Sequence, residues 1–355
     1  MSKNFFSNDL IDWFEINKRE MPWRKNKKFY NIWLSEVMLQ QTQVKTVIPY
    51  YNKWLKNCPT LKSVALSSEE KILKLWEGLG YYSRARNFKK ACEYIYRNNI
   101  NLDEIKYNQF LDLPGVGSYT AAAVFSISKN EVYPVIDGNV KRVLSRLLRI
   151  KNDPNLHLDQ INKFLLKNIS KDNPCDFNQG LMELGATICR PQKANCKVCP
   201  IKNYCNGYKK NDYMLYPIKI KKTKKPHYII VAGIIRYKEK IIISKRKPEA
   251  MLGGLWEFPG GKIKKNETHE ECLKREVLKE INIKIKNLHY LGHIKHAYSH
   301  FSITLHSYEC DYDSGKIKAI ECAEVKKIKL SEITKYAFPK ANHKILELLK
   351  IKYFN

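Results

Sequence analysis

The chain has 355 residues and carries 64 Lys and Arg against 35 Asp and Glu, a formal net charge of +29. This length accommodates two domains with separate cores, and the cation excess argues against small neutral molecules as the sole partners, favouring a polyanion such as nucleic acid. No apolar run reaches the ~20 residues that span a bilayer, Met1 to Phe6 lack a leader-like apolar core, and ten cysteines, four of them clustered, favour metal binding in a reducing compartment over disulfides; a cytoplasmic protein, nucleoid-associated in a bacterium and free of membrane, is expected.

From the start to about Cys205 the apolar rhythm is helical. Leu10, Ile11, Trp13 and Phe14 open an amphipathic stretch, and Asn31 to Val44 predicts one helix. On that helix Glu36 shares a face with Ile32, Trp33 and Leu39. A carboxylate on an apolar stripe is costly unless paired, and desolvation raises its pKa toward the value a general acid needs near neutrality. Helical runs continue over 72–76, 91–95, 119–127 and 140–148. Between two of them lies Leu113-Pro114-Gly115-Val116-Gly117, a turn whose amides and following helix N-terminus can face a phosphate without reading sequence. Taken alone, an ordinary helix–helix connection is the more common explanation of such a turn. Asp137 precedes Gly138-Asn139-Val140 and a helical run, where it can cap the helix and stay ionised.

Cys189, Cys196, Cys199 and Cys205 follow at spacings that let four thiolates converge on tetrahedral zinc or on an iron–sulfur cluster. The intervals alone do not choose between these. Cys58, Cys92, Cys175, Cys272, Cys310 and Cys322 are dispersed and read as packing residues. Past the cluster the texture changes. Lys219 to Lys225, closed by Pro226, is a cationic run that reads as linker. Beyond it 228–232, 240–243, 288–294 and 301–308 predict strands, and 267–281 predicts one helix.

Hairpin, aspartate and cysteine loop together resemble the helix-hairpin-helix DNA glycosylases that end in a four-cysteine [4Fe–4S] loop, and the segment around Glu36 is similar to the adenine DNA glycosylase family. The resemblance implies a multi-domain chain: an all-α helix-hairpin-helix glycosylase domain over 1–205 with its cluster loop at 189–205, a basic linker over 206–226, and an α+β Nudix-like domain over 227–355. The activity it implies is base excision repair, hydrolysing adenine from pairs with 8-oxoguanine or guanine. Double-stranded DNA carrying such mispairs is the implied partner of a monomer. Glu36 is the residue implied to protonate adenine, and Asp137 to face the anomeric carbon, with Asn139 beside it. Tyr119 stands where bifunctional relatives such as endonuclease III carry a Schiff-base lysine, so a phenol there implies base removal without a lyase step. Lys141 is the conceivable substitute amine. Trp23, Arg24 and Gln179 match base-pocket residues, and Gln41 and Tyr81 match a pair that probes the stack beside the opposing lesion. Gly115, Val116 and Gly117 would hold the DNA backbone, and Cys189, Cys196, Cys199 and Cys205 the [4Fe–4S] cluster, beside Arg190, Lys193, Lys197 and Lys202.

In the second half, Gly261, Glu267 and Arg275-Glu276-Val277-Leu278-Lys279-Glu280-Ile281-Asn282-Ile283 resemble a Nudix box. Lys279 and Asn282 replace a glutamate and a glycine of the working pattern. An ammonium among metal-binding carboxylates opposes the cation, so pyrophosphatase chemistry is expected to be lost. Tyr298-Ser299-His300 match the loop with which the family recognises 8-oxoguanine. Rival readings are an endonuclease III-like enzyme, disfavoured by Tyr119 and by the second domain; a nucleotide hydrolase, disfavoured by Lys279; and a catalytically dead damage-binding protein, disfavoured by intact Glu36 and Asp137.

Overall fold

The computed structural model describes residues 5–218 and 225–354, and of 350–354 the backbone alone. Most of the cationic run 219–225 therefore lies outside the described residues. By Cα proximity the chain forms two units, one of Met1–Ala65 with Lys90–Lys222 and one of Leu66–Lys89 with Thr223–Asn355.

Helices in order are α1 (Phe5–Asn17), α2 (Pro22–Lys25), α3 (Phe29–Leu39), α4 (Val44–Asn57), α5 (Leu61–Ala65), α6 (Glu69–Trp76), α7 (Ser83–Arg97), α8 (Tyr107–Leu111), α9 (Ser118–Lys129), α10 (Gly138–Leu148), α11 (Leu158–Asn168), α12 (Pro174–Thr187) and α13 (Asn206–Lys209). In α3 every residue from Phe29 to Met38 is buried, Asn31, Ser35 and Glu36 included, so this helix is enclosed on all sides. It packs on α9, while α12 packs on α1, α9 and α10. Phe6 and Leu10 of α1 meet Val140, Val143 and Leu144 of α10, Ile161 and Leu165 of α11, and Phe177, Leu181 and Leu184 of α12 in one core.

Two expectations need correction. The single helix expected over 31–44 is two helices. Gln41 is in the left-handed region (φ 55°), which a right-handed ladder cannot pass through, and Gln43 is extended before α4. The linker expected over 206–226 is built in its first part. Residues 206–209 and 213–215 form helical turns, Arg149 Nε donates to Asp212 Oδ2 at 2.9 Å, and Arg146 Nε donates to the Tyr216 carbonyl at 3.0 Å. Cationic composition hid a segment anchored by the arginines of α10.

The second unit is built on a seven-stranded sheet: β1 (His227–Tyr237), β2 (Lys240–Lys245), β3 (Trp256–Glu257), β4 (Gly260–Lys262), β5 (Lys284–Ala297), β6 (Ser302–Ser314) and β7 (Glu324–Ile328). The main order is β3-β2-β1-β6-β5, with β1 and β6 parallel and β5–β6 an antiparallel hairpin. Alternate residues of β1 are buried on both faces. Val231 and Ile235 pack with Cys272, Leu273, Val277 and Ile281 of α14 (His269–Ile281). Ala232 and Ile234 pack with Ala341, Ile345 and Leu349 of α15 (Lys340–Phe354). A strand covered on both faces loses the alternation of a half-exposed one and reads as a continuous apolar run.

Residues 66–89 are stitched to this unit by polar contacts. The Trp256 indole donates to Glu70 Oε1 at 2.9 Å, Lys74 Nζ donates to the Tyr336 carbonyl at 2.9 Å, and Glu77 Oε1 accepts from the Phe338 amide and sits 2.8 Å from His343 Nε2.

Candidate active site

In the helical unit a cavity of about 540 Å³ opens beside α3, lined by Glu36, Tyr119, Asp137 and Asn139 together with Trp23, Arg24, Gln179 and Glu183. Glu36 is only 4% exposed, where it would be expensive as an anion. Burial pushes its pKa up to about 7; the Tyr119 hydrogen bond and the Arg24 charge pull it down, and the nearby Asp137 charge pushes it further up. Tyr119 Oη donates to Glu36 Oε2 at 2.6 Å. An acid with this pKa, held by a donor and open to a cavity, can deliver a proton near neutral pH.

Asp137 owes its place to a chain of local causes. Buried Asn178 of α12 donates to Ser126 Oγ and to the Tyr133 carbonyl and accepts from the Val135 amide, fixing the extended segment that runs into α10. Asp137 then caps α10, its Oδ1 accepting from the Val140 amide at 2.7 Å. Its other oxygen accepts from Asn139 Nδ2 at 2.9 Å, and Asn139 Oδ1 accepts from Arg142 Nη2 at 2.9 Å. Burial raises the Asp137 pKa, opposed by the Val140 and Asn139 hydrogen bonds and the Arg142 charge. Gly185 lets α12 approach this cap, since a Cβ there would lie 2.6 Å from that of Asn139.

Along the wall, Trp23 stacks edge-on against Tyr51 with centroids 5.3 Å apart. Arg24 Nε donates to Gln179 Oε1 at 3.1 Å, and Gln179 Nε2 donates to Cys175 Sγ at 3.2 Å. Gln41 does not line this cavity; Thr42 and Gln43 do. Lys141 pairs with Asn155 on the exterior rather than entering the cavity.

Cys189, Cys196, Cys199 and Cys205 line a second, apolar cavity with Val143, Leu147 and Ile201. Arg146 Nη1 donates to Cys189 Sγ at 3.2 Å. Among the described residues no three His, Cys, Asp or Glu side chains gather around a single ion position; the four thiols surround a cavity instead. Between α8 and α9 the turn is closed by the Val116 amide donating to the Leu113 carbonyl at 3.0 Å, with Gly115 left-handed (φ 77°) and Gly115 and Gly117 exposed.

Residues 34–169 match the family described as HhH-GPD superfamily base excision DNA repair protein, and residues 230–348 match the NUDIX domain. The adenine DNA glycosylase of Buchnera aphidicola subsp. Acyrthosiphon pisum is 36% identical over 306 residues, 85% of each chain. That of Buchnera aphidicola subsp. Schizaphis graminum is 34% identical over 354 residues, 97% of this chain and 99% of the other. The chain belongs to the adenine DNA glycosylase family. As an adenine DNA glycosylase it is a DNA N-glycosylase of base excision repair, with DNA as its partner. Its helical fold is also that of a thermostable thymine-DNA glycosylase (TM-score 0.53, 24% identity, 59% of this chain and 98% of that one) and of endonuclease III trapped on DNA (TM-score 0.50, 20% identity, 59% and 99%).

In the sheet unit of this glycosylase, Tyr298, Ser299 and His300 form the β5–β6 turn, closed by the Tyr298 amide donating to the Phe301 carbonyl at 2.8 Å. They line a cavity of about 470 Å³ that also includes Tyr81. Tyr81, left-handed at φ 47°, hydrogen-bonds Ser299 through its phenol. The Nudix carboxylates are engaged internally. Arg275 binds both Glu267 and Glu276, holding Glu267 down at about 2, while Lys279 pairs with Glu321 at 2.6 Å. Glu280 is pushed up to about 7 by burial, with Glu257 adding to it.

The charged pocket residues that sequence reasoning missed are Arg19, Lys45 and Glu183. Glu183 had a legible signal: it lies one helical turn beyond Gln179 on the same face.

Proposed function

We propose that the enzyme removes adenine opposite 8-oxoguanine, and secondarily opposite guanine, by hydrolysis without strand cleavage. The observation that carries this reading is the buried Glu36, hydrogen-bonded by Tyr119 and sharing one cavity with Asp137.

DNA bending and extrusion of the adenine bring the base between Trp23, Arg24 and Gln179. Glu36 gives its proton to N7, so that adenine leaves as a neutral base when the C1′–N9 bond breaks. Asp137 shields the oxocarbenium-like sugar, directly or by transient covalent capture. Water then adds to C1′ and its proton returns to Glu36, leaving an abasic site. Asn139 orients Asp137 and the water. Tyr119 has no amine to form a Schiff base, which ends the reaction at base removal.

Tyr298, Ser299, His300 and Tyr81 read the opposing 8-oxoguanine, Ser299 at its N7–H and O8 edge, while Gln41 fills the stack. Gly115, Val116 and Gly117 grip the backbone phosphate. The four cysteines would hold a [4Fe–4S] cluster, the group implied by the resemblance of their loop to that of the helix-hairpin-helix glycosylases. That group would cross-link the cationic loop 189–205 for phosphate contact.

The test is a duplex with one 8-oxoguanine:adenine pair, treated with protein and then alkali. Scission of the adenine strand only after alkali is expected. Scission without alkali would favour a lyase, and none would favour a binding protein. Glu36→Gln and Asp137→Asn are each expected to abolish excision while retaining DNA binding.

A further inference from the structure

Glu183 lies on the pocket wall with a side chain only 1% exposed, and the reaction above gives it no part. Its carboxylate is clamped by two guanidiniums: Arg19 at Oε1, 2.5 Å away, and Arg24 Nη2 at Oε2, 2.9 Å away. Arg24 in turn donates through Nη1 to the Arg19 carbonyl at 2.8 Å and through Nε to Gln179 Oε1 at 3.1 Å. Each of its three nitrogens therefore has an acceptor, and Glu36 is none of them. We propose that Glu183 is a positioning residue that neutralises Arg24 and holds it against Gln179, keeping this cation from pairing with the acid Glu36.

The geometry gives the carboxylate two effects. It fixes the guanidinium plane, which fixes the amide of Gln179, whose Nε2 is already spent on Cys175. It also cancels positive charge beside an acid that must stay protonated. The groups facing Glu36 are Tyr119 from α9, Asp137 from the cap of α10 and Arg24 from α2, with Arg19 and Lys45 further along the same wall. Arg24 already pulls the Glu36 pKa down, and an Arg24 without its counter-ion would pull harder. Burial alone would raise the Glu183 carboxyl, but the two guanidiniums outweigh it and keep it ionised, so the neutralising charge persists across the working pH range.

The inference rests on Glu36 as the acid, and the test separates the two. Single-turnover excision of adenine opposite 8-oxoguanine is measured against pH for the full-length protein and for Glu183→Gln. The alkaline limb of Glu183→Gln is expected to move about one pH unit lower, giving roughly tenfold slower excision near pH 8 but a rate within about threefold of the parent near pH 5.5. Glu183→Asp, which keeps the charge, is expected to restore most of the limb. A loss of equal size at every pH, or an unmoved profile, would overturn the proposal. Should Glu183→Gln fail to fold, Arg19→Gln decides. Removing that competing cation leaves Glu183 wholly to Arg24, so the limb stays or moves higher, and a downward move overturns the proposal. If Glu36→Gln excises adenine normally, the acid assignment itself falls. If it is inactive and Glu183→Gln keeps the parent profile, only the positioning role falls.

Discussion

At the scale of single residues, function here opposes stability. Glu36 sits where a leucine would pack, and its pKa is raised from 4.5 to about 7 by burial. The folded state thus binds this proton more tightly than the unfolded chain does. Below pH 4.5 both states are protonated and nothing is lost. Between pH 4.5 and 7 the unfolded chain ionises first, and stability falls as pH rises. Above pH 7 the full penalty is present, about 3 kcal/mol for a shift of this size. Glu36→Gln is therefore expected to be more stable than the parent by about that amount near pH 8, and no more stable near pH 4. Urea unfolding at the two pH values measures it, and equal stabilities at both would refute the buried-acid picture. Glu36 was legible in the sequence because a carboxylate on an apolar stripe is conspicuous. Arg19 and Lys45 were not, because arginines and lysines are common in so basic a chain and nothing in the local pattern marks which ones turn inward.

Among the elements, the helices and long strands follow from apolar rhythm, whereas the breaks between them depend on backbone choices that rhythm does not record. Gln41 has a good helix former's side chain and still lies just past the end of α3, because the turn there takes it into the left-handed region. The strands β3 and β4, of two and three residues, are too short to show any period. The turns over 206–215 are held by Arg146 and Arg149 from another helix, which no local window reveals. The crossing of α10 and α12 is close where Gly185 meets Asn139. A Cβ on Gly185 would meet the Cβ of Asn139 at 2.6 Å and its Cα and carbonyl oxygen at 3.2 Å, so the chain would have to shift. Gly185→Ala is expected to destabilise the fold by roughly 1–3 kcal/mol. Excision is expected to fall further than stability alone explains, since Asn139 holds Asp137. An unchanged melting temperature together with full activity would count against this tight crossing.

For the whole molecule, the charge of +29 is a statement about binding rather than fold. If six or more phosphates are neutralised, DNA affinity is expected to fall by about a thousandfold between 50 and 200 mM salt, linearly on logarithmic axes. A flat response in a fluorescence-anisotropy titration would assign the lysines to solubility. The two-part architecture was legible from the change of period near residue 226, because helices and strands repeat at different intervals. The membership of 66–89 in the sheet unit was not, because it rests on contacts such as Trp256 to Glu70, formed between residues far apart in the chain.

Arg275 gives the sheet unit one further property. Its guanidinium lies between Glu267 and Glu276 and pairs with both. Both carboxylates thus have a counter-ion built into the chain, so this half of the protein is expected to fold identically in chelator and in magnesium-rich buffer.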